Sequence, residues 1–458
     1  MSEYFVYKYG GTSAAQPEVV AEGFCANPET NRVAVMSAIG KDITNPNDRF
    51  KGTEWLELLE GAVDARYPKG IAEAQEAFIE KNRHAYRMLD NTVLMAILDD
   101  TYKDLNVDRR SYGYKWIGER VSARLFASLI DGIYVPSELK FQKGAMLARR
   151  SIRDIGLSLA PLLKSNRQIV TEGFIGTDIE SGKIVTLPYG GSDISAVIYT
   201  AALNNDKDHW ININSTDKDG VLDADPSIIP KAQVISEMTY EEIREKMHGI
   251  TERNGVIHGD AIAYASTLDV EIYVRNTFNH SVAGTHIVQS RTSNPDKPVI
   301  GISGKSDISA IDVFDMGMAD ASGYFGDVLS KVGEVGASVA TIPKSEDRLK
   351  LVFNGGDSRK NLEQIRAHIL RHAISGKKAK VEILRNQGTV YLIGQELRNP
   401  RTYTRILGIV ANLLADEGLA IREVTSHEKS PSLAMTVDGE KVQHIIRLLH
   451  GKLVQQQM

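Results

Sequence analysis

Three short stretches of the sequence share one arrangement: a β-rich run, then small residues, then a single charge. They are KYGGTS (8–13), MSAIGK (36–41) and PYGGSD (188–193). Paired glycines let backbone N–H groups approach an anion closely, and Lys8 adds a fixed positive charge beside them. That is the chemistry of a phosphate cradle. KYGGTS is neither a Walker A loop, which needs GK[ST] after four intervening residues, nor a G-x-G-x-x-G fingerprint. Taken alone it reads equally well as an ordinary strand-to-helix glycine turn; three such loops on one sheet edge favour anion binding. TDKDGVLDADP (216–226) sets four aspartates among glycine and proline punctuation. It lacks the oxygen spacing and closing Glu of an EF-hand, so a solvated acidic turn stands beside any ligand role and no dedicated metal site is expected. Glu119 falls in the first turn of a helix, where it stabilises the helix dipole whether or not it binds anything. His258, in NGVIHGDAI, has no second His, Cys or spaced carboxylate with it, so a hydrogen-bonded structural histidine is expected rather than a metal ligand.

These loops need elements to position them. YFVYKYG (4–10) and RVAVMSA (32–38) are β-rich runs ending in Gly or Ser, the pattern of parallel strands whose C-terminal ends carry loops. Helical periodicity follows in 53–66, 74–90 and 119–132. RQIVTEGFIG (167–176), KIVTLPYGG (183–191), a helix from Asp193 to Leu203 and WININSTDKDG (210–220) resume the alternation. The expected fold class is α/β, an open sheet with helices on both faces and ligands at the carboxyl ends of the strands. NPDKP (294–298), with two prolines, marks a linker. Beyond it two units repeat one βαββα order. The first has strands at 309–314, 338–343 and 349–354 and helices at 324–337 and 358–370. The second has strands at 389–394, 420–425 and 433–438 and helices at 402–418 and 440–450. Each is a ferredoxin-like plan.

The bulk numbers fit several globular domains. At roughly 100–200 residues per domain, 458 residues imply two to four. Hydrophobic residues at 42% and charged residues at 25% are ordinary for globular chains. A net charge of −5 leaves no basic footprint, so neither nucleic acid nor an anionic membrane is an expected partner. One cysteine, Cys25, excludes an internal disulfide framework. No signal peptide is read at the N-terminus and no run approaches the ~20 apolar residues of a bilayer span, so a cytoplasmic protein is expected.

In this order the segments resemble an aspartate kinase across nearly the whole chain. KYGGTS is similar to that family's K-F-G-G-[TS]-S, MSAIGK to V-S-A-x-G-K, and PYGGSD to R-x-G-S-D segments. TDKDGVLDADP is similar to T-D-V-x-G-x-x-x-x-D-P, and VRNTFNHSVAGTHI (274–287) to I-x-N-T-x-x-P-x-x-x-G-T-x-I. The resemblance implies an amino-acid kinase catalytic domain over 1–297 and two ACT-like regulatory units over 298–378 and 379–458. It also implies transfer of the γ-phosphoryl group of ATP to the β-carboxylate of L-aspartate, with Mg²⁺ on the phosphates, as the first step of an aspartate-derived amino-acid pathway. By residue, it assigns Lys8 and Asp193 to catalysis and Gly10, Gly11, Ser13, Lys41, Thr216, Asp217, Leu222 and Asp225 to ATP. Ser37, Thr53, Glu119, Tyr189 and Ser192 fall at substrate positions, with Glu119 on the ammonium. Met318, Ser338, Val339, Ser345 and Glu346 fall at effector positions for a regulatory amino acid. A homodimer or a dimer of dimers is implied as well.

Departures from the pattern are as informative as matches. Tyr189 stands where the family's Arg grips a substrate carboxylate, and a phenol offers one neutral donor in place of a bidentate guanidinium. Lys51, Arg49 and Arg120 are candidate replacement cations. Leu222 and Ser227 stand where many members have Tyr and Arg. Ala340 replaces an acidic residue and Lys344 adds a cation beside the effector segment, which disfavours a lysine side chain there. Two alternatives therefore stand beside an aspartate kinase: a kinase of another amino acid or derivative, and a catalytically silent ACT-domain amino-acid sensor.

Overall fold

A computed structural model of the chain describes residues 3–26, 32–40, 79–107, 116–164, 168–188, 190–204, 209–249, 255–318, 320–353, 361–372, 379–425, 427 and 429–455. The chain divides into two compact units. The first comprises Met1–Val221, Val234–Tyr240 and Gly255–Arg291; the second comprises Leu222–Gln233, Glu241–Asn254 and Thr292–Met458.

The strands of the first unit are β1 (Glu3–Tyr9), β2 (Arg32–Met36), β3 (Ile133–Val135), β4 (Lys140–Gln142), β5 (Ala145–Met146), β6 (Ile169–Glu172), β7 (Ile175–Asp178), β8 (Ile184–Thr186), β9 (His209–Thr216), β10 (Glu237–Thr239), β11 (Ile272–Asn276) and β12 (Thr285–Val288). Eight of them form one sheet in the order β10-β12-β11-β9-β1-β2-β6-β3, and β5-β4-β7-β8 form a small second sheet. All neighbours in the large sheet run parallel except β11 and β12. Parallel strands are covered on both faces, which is why RVAVM is buried at every position. The covering helices are α1 (Gly11–Ala14), α2 (Pro17–Cys25), α3 (Asn91–Val107), α4 (Ile117–Leu129), α5 (Ala148–Leu163), α6 (Gly191–Leu203) and α8 (Gly259–Leu268); α7 (Tyr240–His248) falls in the second unit from Glu241 on.

The two faces of β1 divide the labour. Tyr7 and Tyr9 meet Phe24 of α2 edge-on, at 5.5 and 6.3 Å between ring centroids, and Phe24 meets Phe126 of α4 at 5.9 Å. Such aromatic packing anchors one helical layer to the sheet. Val6 and Lys8 alternate to the opposite face, where α6 lies. Of the helices expected at 53–66 and 74–90, the first lies outside the described residues and the second is helical at 79–85.

The second unit contains β13 (Gly301–Phe314), β14 (Arg348–Phe353), β15 (Lys380–Ile393), β16 (Glu423–Thr425) and β17 (Ser432–Asp438). Its C-terminal helices are α9 (Tyr324–Glu334), α10 (Leu362–His372), α11 (Pro400–Asp416) and α12 (Val442–His450). The sequence repeat is there, but the two βαββα units are not two separate sheets. β13 and β15, each 14 residues long, pair antiparallel from Gly301↔Ile393 to Phe314↔Lys380 and draw all five strands into one sheet, β14-β13-β15-β17-β16. Register shifts between Lys305, Ile308 and Ala310 divide this long ladder. Val328 and Val332 of α9 pack with Ile365 and Ile369 of α10 in one core, while Val410 and Leu414 of α11 pack with Ile445 and Leu449 of α12 in another. SVATIP, expected as a strand, runs beside β14 without forming a continuous ladder: Ala340 donates its N–H to Val352 O at 2.8 Å, Thr341 and Pro343 accept from Val352 and Lys350 at 3.0 and 2.9 Å, and Thr341↔Val352 and Lys344↔Leu349 are isolated bridges.

The segments Leu222–Gln233 and Glu241–Asn254 join this second unit through polar burial. Asp223 Oδ1 lies 3.1 Å from His450 Nε2 and accepts the Gln233 N–H at 3.0 Å. Lys246 Nζ donates to the carbonyls of Asp223 and Ile302 at 3.4 and 3.3 Å. Burial draws the Lys246 ammonium down to about 8, against the opposing pull of Asp223 and Asp225.

Candidate active site

The carboxyl ends of β1, β2 and β9 in the large sheet carry three of the loops that the sequence singled out, while PYGGSD, expected on the same sheet edge, follows β8 of the small sheet. Lys8, near the end of β1, pairs its Nζ with Asp193 Oδ1 at 2.8 Å. The carboxylate is held from its other side as well, because Oδ2 accepts the backbone N–H of His258 at 2.8 Å. Two bonds from different elements fix Asp193, and Asp193 in turn fixes the Lys8 ammonium. Both side chains are largely buried, so their attraction is poorly screened by solvent.

Gly10 and Gly11 begin α1 beside this pair. A Cβ placed on Gly10 would lie 3.2 Å from Lys8 Nζ, so any side chain there would crowd the ammonium. Gly40 donates its N–H to Gly11 O at 2.7 Å, and a Cβ on Gly40 would stand 2.5 Å from the Gly11 carbonyl carbon. The KYGGTS and MSAIGK loops are thus in direct backbone contact, which only glycine at 40 permits. Ser13 turns inward and exchanges a hydrogen bond with Thr277 Oγ1 at 2.7 Å. Ser37 donates its N–H to Tyr9 O at 3.1 Å, extending the β1–β2 pairing by one residue. Lys41, Thr53 and Tyr189 lie outside the described residues, as do the candidate cations Arg49 and Lys51.

The third loop turns into α6 through Gly190, whose φ of 81° is left-handed. A Cβ there would meet His258 Cγ at 2.3 Å, so the imidazole sits directly over the turn. His258 is the N-cap of α8, its Nδ1 accepting the Asp260 N–H at 3.3 Å. The expected structural histidine is therefore hydrogen-bonded, and its main chain reaches the Lys8–Asp193 pair. Ser192, buried in the first turn of α6, packs on Gly173, where a Cβ would approach Ser192 Cβ to 2.8 Å.

Glu119 opens α4 fully buried. Its Oε2 has no hydrogen-bond partner among the described residues, although the Ala38 amide donates to the carboxylate. Burial is the main cause that lifts its carboxyl to about 8, and the neighbouring Glu172 charge adds to the rise. A buried carboxyl with Oε2 unpartnered among the described residues has the chemistry to give up its proton and receive a substrate ammonium. Next to it, Arg120 donates Nε to Glu172 Oε1 at 2.9 Å and lies over the Trp116 ring at 4.7 Å. Glu172, with no exposed surface, also accepts from Tyr134 OH at 2.6 Å. This candidate cation is thus bound within a network that the sequence reading missed; no local motif links Arg120 to Glu172, 52 residues away.

At the end of β9, Thr216 Oγ1 donates to Asp217 Oδ1 at 3.2 Å, and Lys218 Nζ pairs with Asp217 Oδ2 at 3.2 Å. Asp219 is drawn inward by Asn276 and Asn279, at 2.7 and 3.1 Å. Leu222 and Asp225 belong to the second unit. Leu222 is half-buried there, and exposed Asp225 caps its own turn by accepting from Ser227 N and Oγ at 2.8 and 2.7 Å. Of the effector candidates, Met318 is buried in the α9 core. Val339 is half-buried, and Ser338, Ser345 and Glu346 are exposed. Lys344 Nζ lies over the Phe325 ring at 4.8 Å. Among the described residues no three His, Cys, Asp or Glu side chains gather as a metal site, and no helix is long and apolar enough to cross a membrane.

A model of the amino acid kinase family matches residues 3–276. Aspartokinase 1, chloroplastic, of Arabidopsis thaliana is 25% identical over 97% of this chain and 79% of its own length. Lysine-sensitive aspartokinase 3 of Escherichia coli (strain K12) is 25% identical over 99% of this chain and 100% of its own. The crystal structure of Clostridium acetobutylicum aspartate kinase superposes with a TM-score of 0.81 at 21% identity, over 98% of this chain and 99% of that one, so the two share a fold.

Proposed function

The chain belongs to the amino acid kinase family, and on that premise we propose that it transfers the γ-phosphoryl group of ATP to the β-carboxylate of L-aspartate, giving 4-phospho-L-aspartate. The carrying observation is the Lys8–Asp193 pair at 2.8 Å, set beside the Gly10–Gly11 turn. A carboxylate oxygen of aspartate bonds to the γ-phosphorus as the bond to ADP breaks. The nucleophile bears no proton, so no general base is required, and the protein's task is positioning and positive charge. Lys8 supplies the charge, and the amides of Gly10 and Gly11 are assigned to phosphate oxygens. The absence of a Cβ beside the Lys8 ammonium leaves the room that a nucleotide phosphate needs. Mg²⁺, bound with the nucleotide, would neutralise phosphate charge.

Ser13, Lys41, Thr216, Asp217, Leu222 and Asp225 are assigned to the nucleotide. Ser37, Thr53, Tyr189, Ser192 and Glu119 are assigned to the amino acid, with Glu119 on its ammonium. Residues 1–297 form the proposed catalytic domain and 298–378 and 379–458 the proposed ACT units, with a regulatory amino acid near Met318, Ser338, Val339, Ser345 and Glu346. The edge strands of the C-terminal sheet, including half-exposed Val424 on β16, support pairing into a homodimer or a dimer of dimers.

One observation favours a second reading. Arg120 is bound to Glu172 and Tyr189 occupies the position of the expected guanidinium, which suits an amino-acid derivative whose α-carboxylate is altered or absent. A hydroxamate assay with purified protein, ATP, Mg²⁺ and a panel of amino acids decides between them. Turnover of aspartate carries the first reading, and turnover of another amino acid alone carries the second. No turnover across the panel leaves a silent amino-acid sensor.

A further inference from the structure

We propose that Asn214 is a further positioning residue for phosphoryl transfer, whose buried carboxamide donates to Asp193 when the Lys8 ammonium turns toward the transferring phosphoryl oxygens. This rests on the function proposed above. Asn214 lies in β9, between β1 and β11, and its Cα pairs in register with Lys8 on one side and Val274 on the other. Alternation along a strand puts Asn212 and Asn214 on the same face. Asn212 Nδ2 reaches Thr200 Oγ1 of α6 at 3.3 Å, and Lys8 reaches Asp193 of α6 from the neighbouring strand. Asn214 therefore stands beside Lys8 on the face that α6 covers.

Its carboxamide is 1% exposed, and neither Nδ2 nor Oδ1 has a hydrogen-bond partner among the described residues. A strand covered on both faces is ordinarily apolar, and an unbonded amide there destabilises the folded state. Packing does not explain an asparagine at this place, but the demands of the neighbouring charge pair do. Asp193 Oδ2 is held by the His258 N–H, whereas Oδ1 has the Lys8 ion pair as its contact among the described residues. Once Lys8 shares its ammonium with phosphoryl oxygens, Oδ1 needs a second donor. A neutral amide supplies one and leaves Asp193 anionic, so the carboxylate goes on orienting the ammonium.

The test uses the full chain. Asn214→Leu, nearly isosteric, is expected to lower kcat by about tenfold or more while leaving both KM values nearly unchanged and the melting temperature no lower than wild type. Asn214→Thr keeps a donor and is expected to recover most of kcat. Wild-type kcat in Asn214→Leu together with higher thermal stability would overturn the proposal, as would a rise in KM for ATP at constant kcat. A second readout needs no turnover: the Asn214 side-chain NH₂ resonance, assigned by its loss in Asn214→Thr, is expected to move when a non-hydrolysable ATP analogue and Mg²⁺ are added. An unmoved resonance overturns the proposal even if the enzyme is active. A wild-type protein that phosphorylates no amino acid sinks the proposed function instead, and the resonance still reports on Asn214.

Discussion

Lys8 and Glu119 are both buried but in opposite situations, one paired and one not fully partnered, and each makes a distinct prediction. Lys8 is paired and held, so Lys8→Ala is expected to cut turnover by about 10²–10³-fold or more. The lost ion pair destabilises the fold by no more than about 3–5 kcal/mol, so circular dichroism of the variant shows a folded protein at room temperature. A variant with wild-type rate would remove Lys8 from the chemistry. Glu119 is buried and partly unpaired, with its carboxyl lifted to about 8 from an ordinary 4.5. The folded state therefore keeps a proton that the unfolded chain releases, and the resulting stability is present below about 4.5 and is lost as pH rises through about 8. Glu119→Gln removes that dependence. Its melting temperature relative to wild type is expected to rise between pH 5 and pH 8, and a difference that stays flat would contradict the raised carboxyl. The glycine–lysine and glycine–serine–aspartate patterns made Lys8 and Asp193 legible in the sequence. Asn214 and Glu172 were not legible, because a single polar residue in a strand carries no periodic signal and their significance comes from neighbours on other strands.

The turn from β8 into α6 shows how one element governs the site. Gly190 at φ 81° starts the helix that carries Asp193, and the His258 ring closes over it. Gly190→Ala adds a left-handed non-glycine residue, at about 1–2 kcal/mol, and a clash with His258 that pushes the Asp193 partner aside. Lower thermal stability together with a fall in kcat is expected from melting curves and initial rates; a fall in stability alone would show that His258 moves without consequence. Elements of this kind were readable one at a time. Strand ends, glycine caps and the helix over 191–203 follow from local composition. What local composition did not disclose is pairing. β13 and β15 match Gly301 to Ile393 and Phe314 to Lys380, residues too far apart in the chain for turn chemistry to set their register, and their ladder converts two expected small sheets into one. SVATIP has strand composition and bonds to β14 through Ala340, Thr341 and Pro343, yet its pairing is too broken to add a regular strand to the sheet.

For the whole molecule, the decisive feature is that the second unit is discontinuous in sequence. Asp223 and Lys246 come from two short segments, and His450 comes from the far end of the chain. His450→Ala leaves the buried Asp223 carboxylate without its imidazole and is expected to destabilise the second unit by about 3 kcal/mol, read as a lower urea midpoint. An unchanged midpoint would show that the Gln233 amide alone suffices. The same discontinuity sets a timetable on the ribosome. The last residue of the first unit, Arg291, is made while residues 292–458 are still to come. At about 5–20 residues per second that leaves a wait on the order of 10–30 s. Throughout it Ile228 and Ile229, buried in the finished core, have nothing to pack against, and Lys246 has no Ile302 carbonyl to bond. The nascent chain therefore carries two unfinished inserts inside an otherwise complete first unit, and they are where a ribosome-associated chaperone has sticky surface to hold.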